Sequence, residues 1–295
     1  MQWDKLRIFH AVAEAGSFTR AGERLHLSQS AISRQVSALE DSLNTTLFHR
    51  HARGLTLTEQ GELLYRTVHE VFAKLAMVEA VLTDSRERPK GELKVTTPIG
   101  FGSIWLTQRI RGFVDMYPDI RFNLIVTDQE LDLALREADV AIRLRKPTQS
   151  DLIMRKLTTV HYHIYASETY INRYGAPRSL DDLKRHTLVI YGKGVAQPVS
   201  NINWLIDELG GVPQEHPVHK VNNVYGLYKA IESGLGIGAL PDYIIARKSR
   251  VIRVLPSVEG PTFETYFVYP EELRNSKKIG AFRDYLIQKV SEWEF

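Results

Sequence analysis

The polar side chains of residues 29–37 form a set suited to contacts with nucleic-acid bases. All of them are short or fork-shaped hydrogen-bonding groups, and none is a carboxylate. In the major groove, arginine binds guanine and glutamine binds adenine through such contacts. At helical spacing these side chains share one face, which predicts a helix with a base-reading surface. The members of this face are Gln29, Ser30, Ser33, Arg34 and Ser37.

The apolar side chains of the same stretch indicate what positions this face. Ile32, Val36, Leu39 and Leu43 recur at spacings of three and four, as the buried stripe of an amphipathic helix does. Ser28 precedes the helix, where a serine hydroxyl can accept a hydrogen bond from a backbone N–H group of the first turn. The predicted helix therefore begins after Ser28 and is anchored from behind.

A shorter helix is predicted immediately upstream, with Ser17 as its cap and Ala21 and Leu25 on its inner face. Another amphipathic helix is predicted at residues 3–15. Two helices joined by a tight turn form a helix-turn-helix, which presents the start of its second helix to the bases. We expect Ser17 and Thr19 to add to the DNA-binding surface. Taken alone, the span also fits an ordinary helical hairpin with a solvated polar face.

Residues 47–58 predict a basic β-hairpin. Two short β-prone runs flank Ala52-Arg53-Gly54, and the glycine permits the positive φ that a tight hairpin turn needs. Arg50 and Arg53 near the tip suit contacts with phosphates or entry into the minor groove. The hairpin, the polar helix face and the long helix that follows together favour a winged helix-turn-helix.

This pattern resembles the N-terminal domain of the LysR-type transcriptional regulators. It is long and ungapped, and the later part of the chain fits the same family, so the resemblance covers essentially all 295 residues. It implies a linker helix that pairs subunits, a bilobed regulatory domain of the periplasmic-binding-protein architecture, and tetramers built as dimers of dimers. The residues that carry it are Leu6, Phe9, Val12, Gly16, Ser17, Phe18, Ala21, Leu25, Ser28, Gln29, Ser30, Ala31, Ile32, Ser33, Leu39, Glu40, Leu47, Phe48, His49, Arg50, Leu57, Thr58, Glu59, Gln60 and Gly61.

Residues 58–86 predict one long helix, roughly 40 Å in length at 1.5 Å per residue. Its long apolar periodicity favours a helical partner, and the resemblance implies that this partner is a second subunit. The alternative is a spacer packed on its own domain. Pro89 and Gly91 then predict a short hinge. The apolar positions of the helix are Leu64, Val68, Val71, Leu75, Val78 and Leu82.

From residue 92 onward, predicted strands and helices alternate, which indicates parallel sheets flanked by helices. The predicted fold class is α+β multidomain: a winged helix-turn-helix at 1–58, a linker helix and hinge at 59–90, and a bilobed α/β periplasmic-binding-protein-like effector domain at 91–295. One lobe comprises about 91–161 and 266–295, and the other about 162–265. Predicted strands are 93–97, 120–127, 139–143, 161–166, 187–191, 234–241 and 263–269; predicted helices are 103–117, 129–137, 168–174, 180–184, 223–233 and 277–293.

Polar residues follow the predicted strands at their carboxyl ends, where open α/β sheets bind ligands. The resemblance places the effector cleft there. We expect a small carboxylate-bearing effector, with Arg143 as countercharge and free N–H groups at the helix start after the first strand as an anion site. Alternatively, Arg143 pairs with Asp128, and Asn222 and Asn223 cap a helix. The predicted effector-binding residues are Thr97, Pro98, Ile99, Gly100, Thr127, Asp128, Arg143, Asn222 and Asn223.

The composition limits other chemistry. A net charge of +3 is only mildly basic, so DNA affinity must come from local placement of arginine and lysine. The chain has no cysteine, which excludes disulfides, thiol chemistry and cysteine-ligated zinc. His161 and His163 share a strand face without an evident third metal ligand, so solvated or hydrogen-bonded histidines are expected. The glycines at 234–238 lack the helix and acidic residue of a dinucleotide site. We predict no catalytic residue, no metal and no cofactor.

These observations predict a ligand-responsive transcriptional regulator that is not an enzyme. Its expected partners are double-stranded DNA with a roughly palindromic operator, a small-molecule effector and further copies of itself. The alternative is a solute-binding receptor with a helical adaptor, which needs an export signal. Asp4, Lys5 and Arg7 occupy the place of a signal peptide's apolar core. No apolar run approaches the length of a membrane span, and we expect a cytoplasmic protein without membrane contact.

Overall fold

The computed structural model describes residues 3–51, 54–83, 88–149, 151–192, 196–212, 217–245 and 249–293. The chain divides into two compact units, Met1–Ala80 and Val81–Phe295, and each is described by itself. No helix in these described ranges combines the length and apolar character that a membrane crossing requires. The domain boundaries proposed near residues 58 and 90 stay predictions.

The first unit contains the three helices, the hairpin and the long helix that the sequence predicts. Its core is formed by apolar side chains from all three N-terminal helices, including the fully buried Phe9, Val12, Ile32 and Val36. The elements are α1 (Trp3–Ala15), α2 (Phe18–Leu25), α3 (Gln29–Leu43), β1 (Phe48–His51), β2 (Gly54–Leu57) and α4 (Glu59–Thr83).

Both predicted serine caps are confirmed. The hydroxyl oxygen of Ser17 accepts from the backbone N–H of Arg20, and that of Ser28 accepts from Ala31 at 3.2 Å. Each bond satisfies one of the N–H groups that a helix start leaves without an intrahelical partner. Local side-chain chemistry therefore sets where α2 and α3 begin, independently of the rest of the fold.

The turn between α2 and α3 is tight because Gly22 has no side chain. A Cβ atom at this position would lie 2.6 Å from the carbonyl oxygen of Leu27. His26 ends α2 in the left-handed region with φ 55°, and the N–H of Leu27 returns to the carbonyl of Gly22 at 2.9 Å. This close approach fixes the direction in which α3 leaves the turn.

The hairpin is held to α3 by one carboxylate. Oε1 of Glu40 accepts hydrogen bonds from the backbone N–H groups of Leu47 at 2.7 Å and Phe48 at 3.3 Å. The same hairpin packs against the start of α4, where Gly61 leaves room for the carbonyl of Leu47. Glu40 belongs to the resemblance, and the structure gives it this positioning role.

The second unit contains a seven-stranded sheet, a separate two-stranded sheet and the helices packed against them. Its strands are β3 (Gly91–Thr97), β4 (Ile120–Val126), β5 (Val140–Arg143), β6 (Leu152–Ser167), β7 (Leu188–Tyr191), β8 (Val218–Val221), β9 (Gly238–Pro241), β10 (Val251–Val254) and β11 (Thr262–Pro270). Its α-helices are α5 (Thr107–Met116), α6 (Glu168–Tyr174), α7 (Trp204–Glu208), α8 (Val224–Glu232) and α9 (Lys277–Ser291), and its shorter helical turns are Phe101–Leu106 (π-helical) and the 3₁₀ turns Asp181–Arg185, Asp242–Ile244 and Glu271–Leu273.

The larger sheet has the strand order β10-β6-β11-β5-β3-β4. The long strand β6 belongs to both halves of this sheet, because its two ends pair with different strands. Residues 152–161 of β6 pair with β11, whereas residues 162–167 pair with β9 and β10. We call the elements around β3, β4, β5 and β11 the first lobe, and those around β7, β8, β9 and β10 the second lobe. Parallel pairing of β3 with β4 and β5 brings their carboxyl ends to one edge. The bilobed α/β architecture is thereby confirmed.

The helix predicted at residues 129–137 is wrong. The carboxylate of Asp132 accepts from the backbone N–H groups of Ala134 at 2.8 Å and Leu135 at 3.2 Å, which forms a turn. Arg136 then adopts φ 58°, in the left-handed region. A side chain that bonds its own neighbouring backbone competes with helix formation, so the apolar periodicity did not decide this segment.

Other differences concern length and number. The strand predicted at 234–241 is shortened to Gly238–Pro241 because Gly234 turns the chain with φ 87°. The strand predicted at 161–166 extends back to Leu152 through its pairing with β11. The sequence did not predict α7, β8 or β10.

Candidate DNA interface and effector cleft

The polar face of α3 faces outward in the first unit, and its apolar face is buried. Ile32 and Val36 are 0% exposed and hold the helix against the core. This arrangement leaves hydrogen-bonding groups at the amino-terminal end of the helix open to an incoming ligand. Gln29, Ser30 and Arg34 are exposed, and Ser33 and Ser37 are half-buried.

Arg34 is oriented along the surface of its own helix. Its Nε donates to the backbone carbonyl of Ser30 at 3.3 Å. The hydroxyl of Ser30 lies 3.1 Å from that of Ser28, the cap of α3. These contacts restrict the conformations of the Arg34 guanidinium and the Ser30 hydroxyl. The two side chains therefore lose less conformational entropy when they bind a partner.

Ser17 and Thr19 lie at the start of α2. Ser17 is the helix cap, so its hydroxyl already serves the N–H of Arg20, while Thr19 is exposed. The first turn of a helix also offers backbone N–H groups to phosphates. Their predicted DNA contacts stay predictions.

The side chains of the two arginines assigned to the hairpin lie outside the described part of the structure. Arg53, with Ala52, lies outside the described residues, and the described part of Arg50 is its backbone in β1. The hairpin itself is confirmed, with His51 opposite Gly54. The predicted phosphate contacts of Arg50 and Arg53 remain predictions.

The carboxyl ends of β3, β4 and β5 line a cleft in the second unit, as the sequence predicts. Thr97, Pro98, Thr127, Asp128 and Arg143 contribute to its wall on the first lobe. The second lobe contributes the loop after β7, including Gln197 and Pro198. The cleft therefore lies between the lobes.

Arg143 is buried at this edge with neutral partners. It is 6% exposed, and its guanidinium donates to Oε1 of Gln149 at 2.9 Å and to the carbonyl of Leu131 at 3.3 Å. The alternative pairing of Arg143 with Asp128 is not what the structure shows. A buried guanidinium bonded to neutral oxygens keeps an unneutralised positive charge, which favours an anion nearby.

Asp128 occupies the helix start that the sequence assigned to an anion. Its Oδ1 accepts from the backbone N–H of Ile99 at 3.0 Å, and its Oδ2 accepts from the hydroxyl of Tyr191 at 3.1 Å. Burial raises the pKa of Asp128, and these two hydrogen bonds partly offset the rise. The expectation of a free N–H group is wrong for Ile99, because the chain's own carboxylate satisfies it.

Gly100 is closed off by the second lobe. A Cβ atom there would lie 3.0 Å from the hydroxyl oxygen of Tyr243 and 3.0 Å from Cβ of Val224. The glycine permits a close approach at this position, as the sequence suggested. The groups that approach it, however, are side chains of the second lobe and not a ligand. The two lobes therefore lie close together at this position.

Asn223 caps α8, which was the alternative to effector binding for this residue. Its Oδ1 accepts from the N–H of Gly226 at 2.7 Å, and its Nδ2 lies 3.5 Å from Oδ1 of Asn222. The pair nevertheless faces the first lobe across a cavity. Five predicted residues line that cavity: Ile99, Thr127, Asp128, Asn222 and Asn223.

Sequence reasoning missed several polar groups at the cleft. Tyr191 reaches Asp128 from the other lobe, and Gln149 contacts Arg143. The hydroxyl of Tyr243, which was not predicted, is buried without a hydrogen-bond partner among the described residues, as is the hydroxyl of the predicted Thr97. Tyr191 ends a predicted strand, so the strand-end rule could have identified it. Nothing in the local sequence links Gln149 to Arg143.

Of the two histidines of β6, His161 is hydrogen-bonded, as expected, whereas Nδ1 of His163 is buried without a hydrogen-bond partner among the described residues. The backbone N–H and the ring Nδ1 of His161 lie 2.8 and 3.1 Å from Oδ2 of Asp242. The rings of His161 and His163 are parallel, with centroids 6.4 Å apart. The pKa of His163 is lowered, and burial is the largest cause of this shift.

Comparisons with known proteins match both units. The family of bacterial regulatory helix-turn-helix proteins, lysR family, matches residues 3–62, and the LysR substrate binding domain matches residues 86–291. An HTH-type transcriptional regulator of Xanthomonas campestris pv. campestris is 30% identical over 290 residues, which cover 96% of this chain and 84% of the relative.

Solved structures agree over the whole length. CrgA, a LysR-type transcriptional regulator from Neisseria meningitidis, is 27% identical with a TM-score of 0.61 and covers 98% of this chain and 99% of its own. The full-length Vibrio cholerae virulence activator AphB, a member of the LTTR protein family, is 26% identical with a TM-score of 0.59, and the match covers 98% and 99% of the two chains.

Proposed function

The chain belongs to the lysR family of bacterial transcriptional regulators. We propose that it recognises its operator through the polar face of α3. We further propose that a small anionic effector, bound between the lobes, changes its affinity for this DNA. The chain joins a DNA-binding helix-turn-helix to an effector-binding domain. The observation that carries the proposed readout is the exposed Gln29, Ser30 and Arg34 above the fully buried Ile32 and Val36.

The proposed DNA contacts divide by role. Gln29, Ser30, Ser33 and Arg34 specify bases, since arginine and glutamine match purine edges in the major groove. The serine and threonine at the start of α2 and the arginines of the hairpin hold the phosphate backbone, which carries affinity without sequence preference. The phosphate-binding residues are Ser17, Thr19, Arg50 and Arg53.

The proposed effector is a small carboxylic acid. Arg143 supports this choice because its partners are neutral oxygens and its charge is buried. The buried hydroxyl of Thr97 supplies a hydrogen-bonding group beside it. Asp128 would repel a second anionic group, so the opposite end of the effector should be neutral or a hydrogen-bond donor. Asn222, Asn223 and Thr127 line this end.

Oligomerisation is proposed through α4. The face of α4 that includes Val68 packs on the core of the first unit. In contrast, Leu63, Val71 and Leu75 are exposed, and Leu63 has a relative exposure of 70%. Val71 and Leu75 are four residues apart and therefore lie on one face, as neighbouring side chains in a seam between helices do. A dimer through this seam would read two half-sites, and tetramers would combine two dimers. The proposed function involves no catalytic step and is exercised in the cytoplasm, where the chromosome lies.

Fluorescence anisotropy with duplex DNA from upstream of the protein's own gene tests this function. We expect specific binding that weakens steeply between two salt concentrations. Arg34→Ala should reduce discrimination at one base pair by about 1–3 kcal/mol, while Arg53→Ala should weaken binding to all sequences alike. Arg7→Ala, an exposed arginine of α1, is the control. Unchanged base preference in Arg34→Ala would refute the readout by α3.

A further inference from the structure

Three potential metal ligands meet between α1 and α4. Nε2 of His10 lies 2.9 Å from Nδ1 of His69 and 3.9 Å from Oε1 of Glu14. His10 and Glu14 are one turn apart on the same face of α1, and His69 faces them from α4. Within the described ranges, this is the group of histidine and carboxylate side chains whose ligand atoms all lie within 4.8 Å of one another.

We propose that His10, Glu14 and His69 bind a divalent transition-metal ion of the zinc type. Two imidazole nitrogens and one carboxylate oxygen are a ligand set that zinc adopts, with water in the fourth position. Imidazole ligands select zinc, copper and nickel over magnesium and calcium, which prefer oxygen. The site is separate from both the DNA-binding face and the effector cleft, so it does not depend on the proposed function.

The geometry requires small side-chain movements. Zinc–nitrogen bonds of about 2.0–2.1 Å place tetrahedral ligand atoms roughly 3.3 Å apart. The imidazole pair must therefore separate by about half an ångström. The carboxylate oxygen of Glu14, which lies 3.9 Å from Nε2 of His10 and within 4.8 Å of Nδ1 of His69, must approach both nitrogens. His10 must carry its proton on Nδ1 and His69 on Nε2, so that each offers a lone pair to the ion.

Neighbouring side chains already orient two of the ligands. Oε2 of Glu14 accepts from the guanidinium of Arg24 at 2.5 Å, which leaves Oε1 on the side of His10. The rings of Tyr65 and Phe72 lie 5.3 Å from the ring of His10 by centroid. Hydrogen-bonded carboxylates and packed imidazoles are common around metal ions. The charge of Arg24 opposes that of the ion, so the affinity should be lower than at a four-ligand structural site.

A bound ion would tie α1 of the helix-turn-helix unit to α4. Among the described residues, a hydrogen bond between the two imidazoles and the packing of Phe72 on Trp3 and His10 hold this junction together. Metal binding at the junction would stabilise the folded unit by mass action. It would also fix the angle at which α4 leaves the helices.

Equilibrium dialysis of the untagged full chain against Zn²⁺, after removal of metals with a chelator, tests the site. We expect about one zinc per wild-type chain. His69→Gln and Glu14→Gln should each lower the affinity at least about tenfold. His219→Gln removes an exposed histidine of β8 and should leave binding unchanged. Wild-type protein that binds no zinc, or variants that retain its stoichiometry and affinity, would overturn the proposal.

Two further measurements separate lost ligation from lost folding. Thermal unfolding without metal should give similar midpoints for the wild type and His69→Gln, and Zn²⁺ should raise the midpoint of the wild type alone. Co²⁺ in place of Zn²⁺ should give the intense visible absorption of a tetrahedral complex in the wild type and lose it in His69→Gln. An equal Zn²⁺-induced shift in both proteins would place the ion elsewhere.

Discussion

The hydroxyl of Tyr191 at the end of β7 donates to Oδ2 of Asp128 at 3.1 Å, across the cleft between the two lobes. The other oxygen of Asp128 receives the N–H of Ile99 in the first lobe. One half-buried carboxylate therefore links the helix start after β3 to the second lobe. An effector that enters this cleft must either replace the hydrogen bond between Tyr191 and Asp128 or bind beside it. The contribution of this bond to stability can be measured by substitution.

Removal of the Tyr191 hydroxyl should weaken the contact between the lobes. Tyr191→Phe removes the hydroxyl that lies 3.1 Å both from Oδ2 of Asp128 and from the carbonyl oxygen of Ala196. The free energy of unfolding should therefore fall by about 1–2 kcal/mol. Urea-induced unfolding followed by circular dichroism measures the change. Tyr225→Phe, which alters an exposed tyrosine, is the matched control. Equal stability of Tyr191→Phe and the control would show that the bond contributes nothing.

The titration of Asp128 should be visible in the stability of the protein. Burial raises its pKa in the folded state above the ordinary 3.8. The folded state then binds the proton more tightly, so the stability from this group is complete below the ordinary pKa and is lost as pH rises through the folded value. Asp128→Asn cannot titrate and serves as the reference.

The unfolding free energy of the wild type, relative to Asp128→Asn, should therefore decrease from pH 3.5 to neutral pH, as urea titrations at each pH would report. Other titrating groups cancel because both proteins contain them. A relative stability that rises with pH would mean that the hydrogen bonds from Ile99 and Tyr191 outweigh burial at this carboxylate.

Loss of Arg143 should weaken effector binding. Removal of one member of a buried charge pair costs about 2 kcal/mol or more, roughly 30-fold or more in affinity. Isothermal titration calorimetry with a panel of small carboxylic acids would identify a ligand and then compare Arg143→Ala with the wild type. Arg145→Ala is the control, because Arg145 lines the same cleft but pairs with Glu130 at 2.6 Å.

If a bound acid keeps its affinity in Arg143→Ala, this residue is not the countercharge. If Arg145→Ala loses affinity instead, the exposed arginine at the mouth of the cleft takes that role.

A charge on the exposed stripe of α4 should separate subunits. Leu75 is 49% exposed, and an aspartate there would be buried without a partner in a helical seam. Sedimentation velocity should show Leu75→Asp as a smaller species than the wild type. Met116→Asp, on α5 and 56% exposed, should leave the mass unchanged. A wild-type mass for Leu75→Asp would exclude this stripe as the interface.

Several elements of the first unit follow from residues close together in the chain. Ser17 and Ser28 cap α2 and α3 through bonds three residues long, and the apolar stripe of α3 alone indicates which face is buried. Such interactions are local, so a single sequence contains enough information to predict them. The exposure of Gln29 and Arg34 follows from the same pattern.

The second unit shows where local pattern failed. Residues 129–137 have helical periodicity, yet the bonds from Asp132 to its own backbone form a turn. The long strand β6 exists because β11, about a hundred residues later, supplies its partner. Hydrogen bonds between strands depend on register across the fold, which no short window of sequence contains.

By itself, the sequence determined the helix-turn-helix, the hairpin, the alternating strands and helices, and the strand ends that line the cleft. Only the tertiary structure decided which side of α4 is covered and which partners Arg143 and Asp128 take. It alone brought His10 to His69, 59 positions apart in the chain. Spacing along a helix or strand constrains only near neighbours, whereas contacts between distant residues arise when whole elements pack.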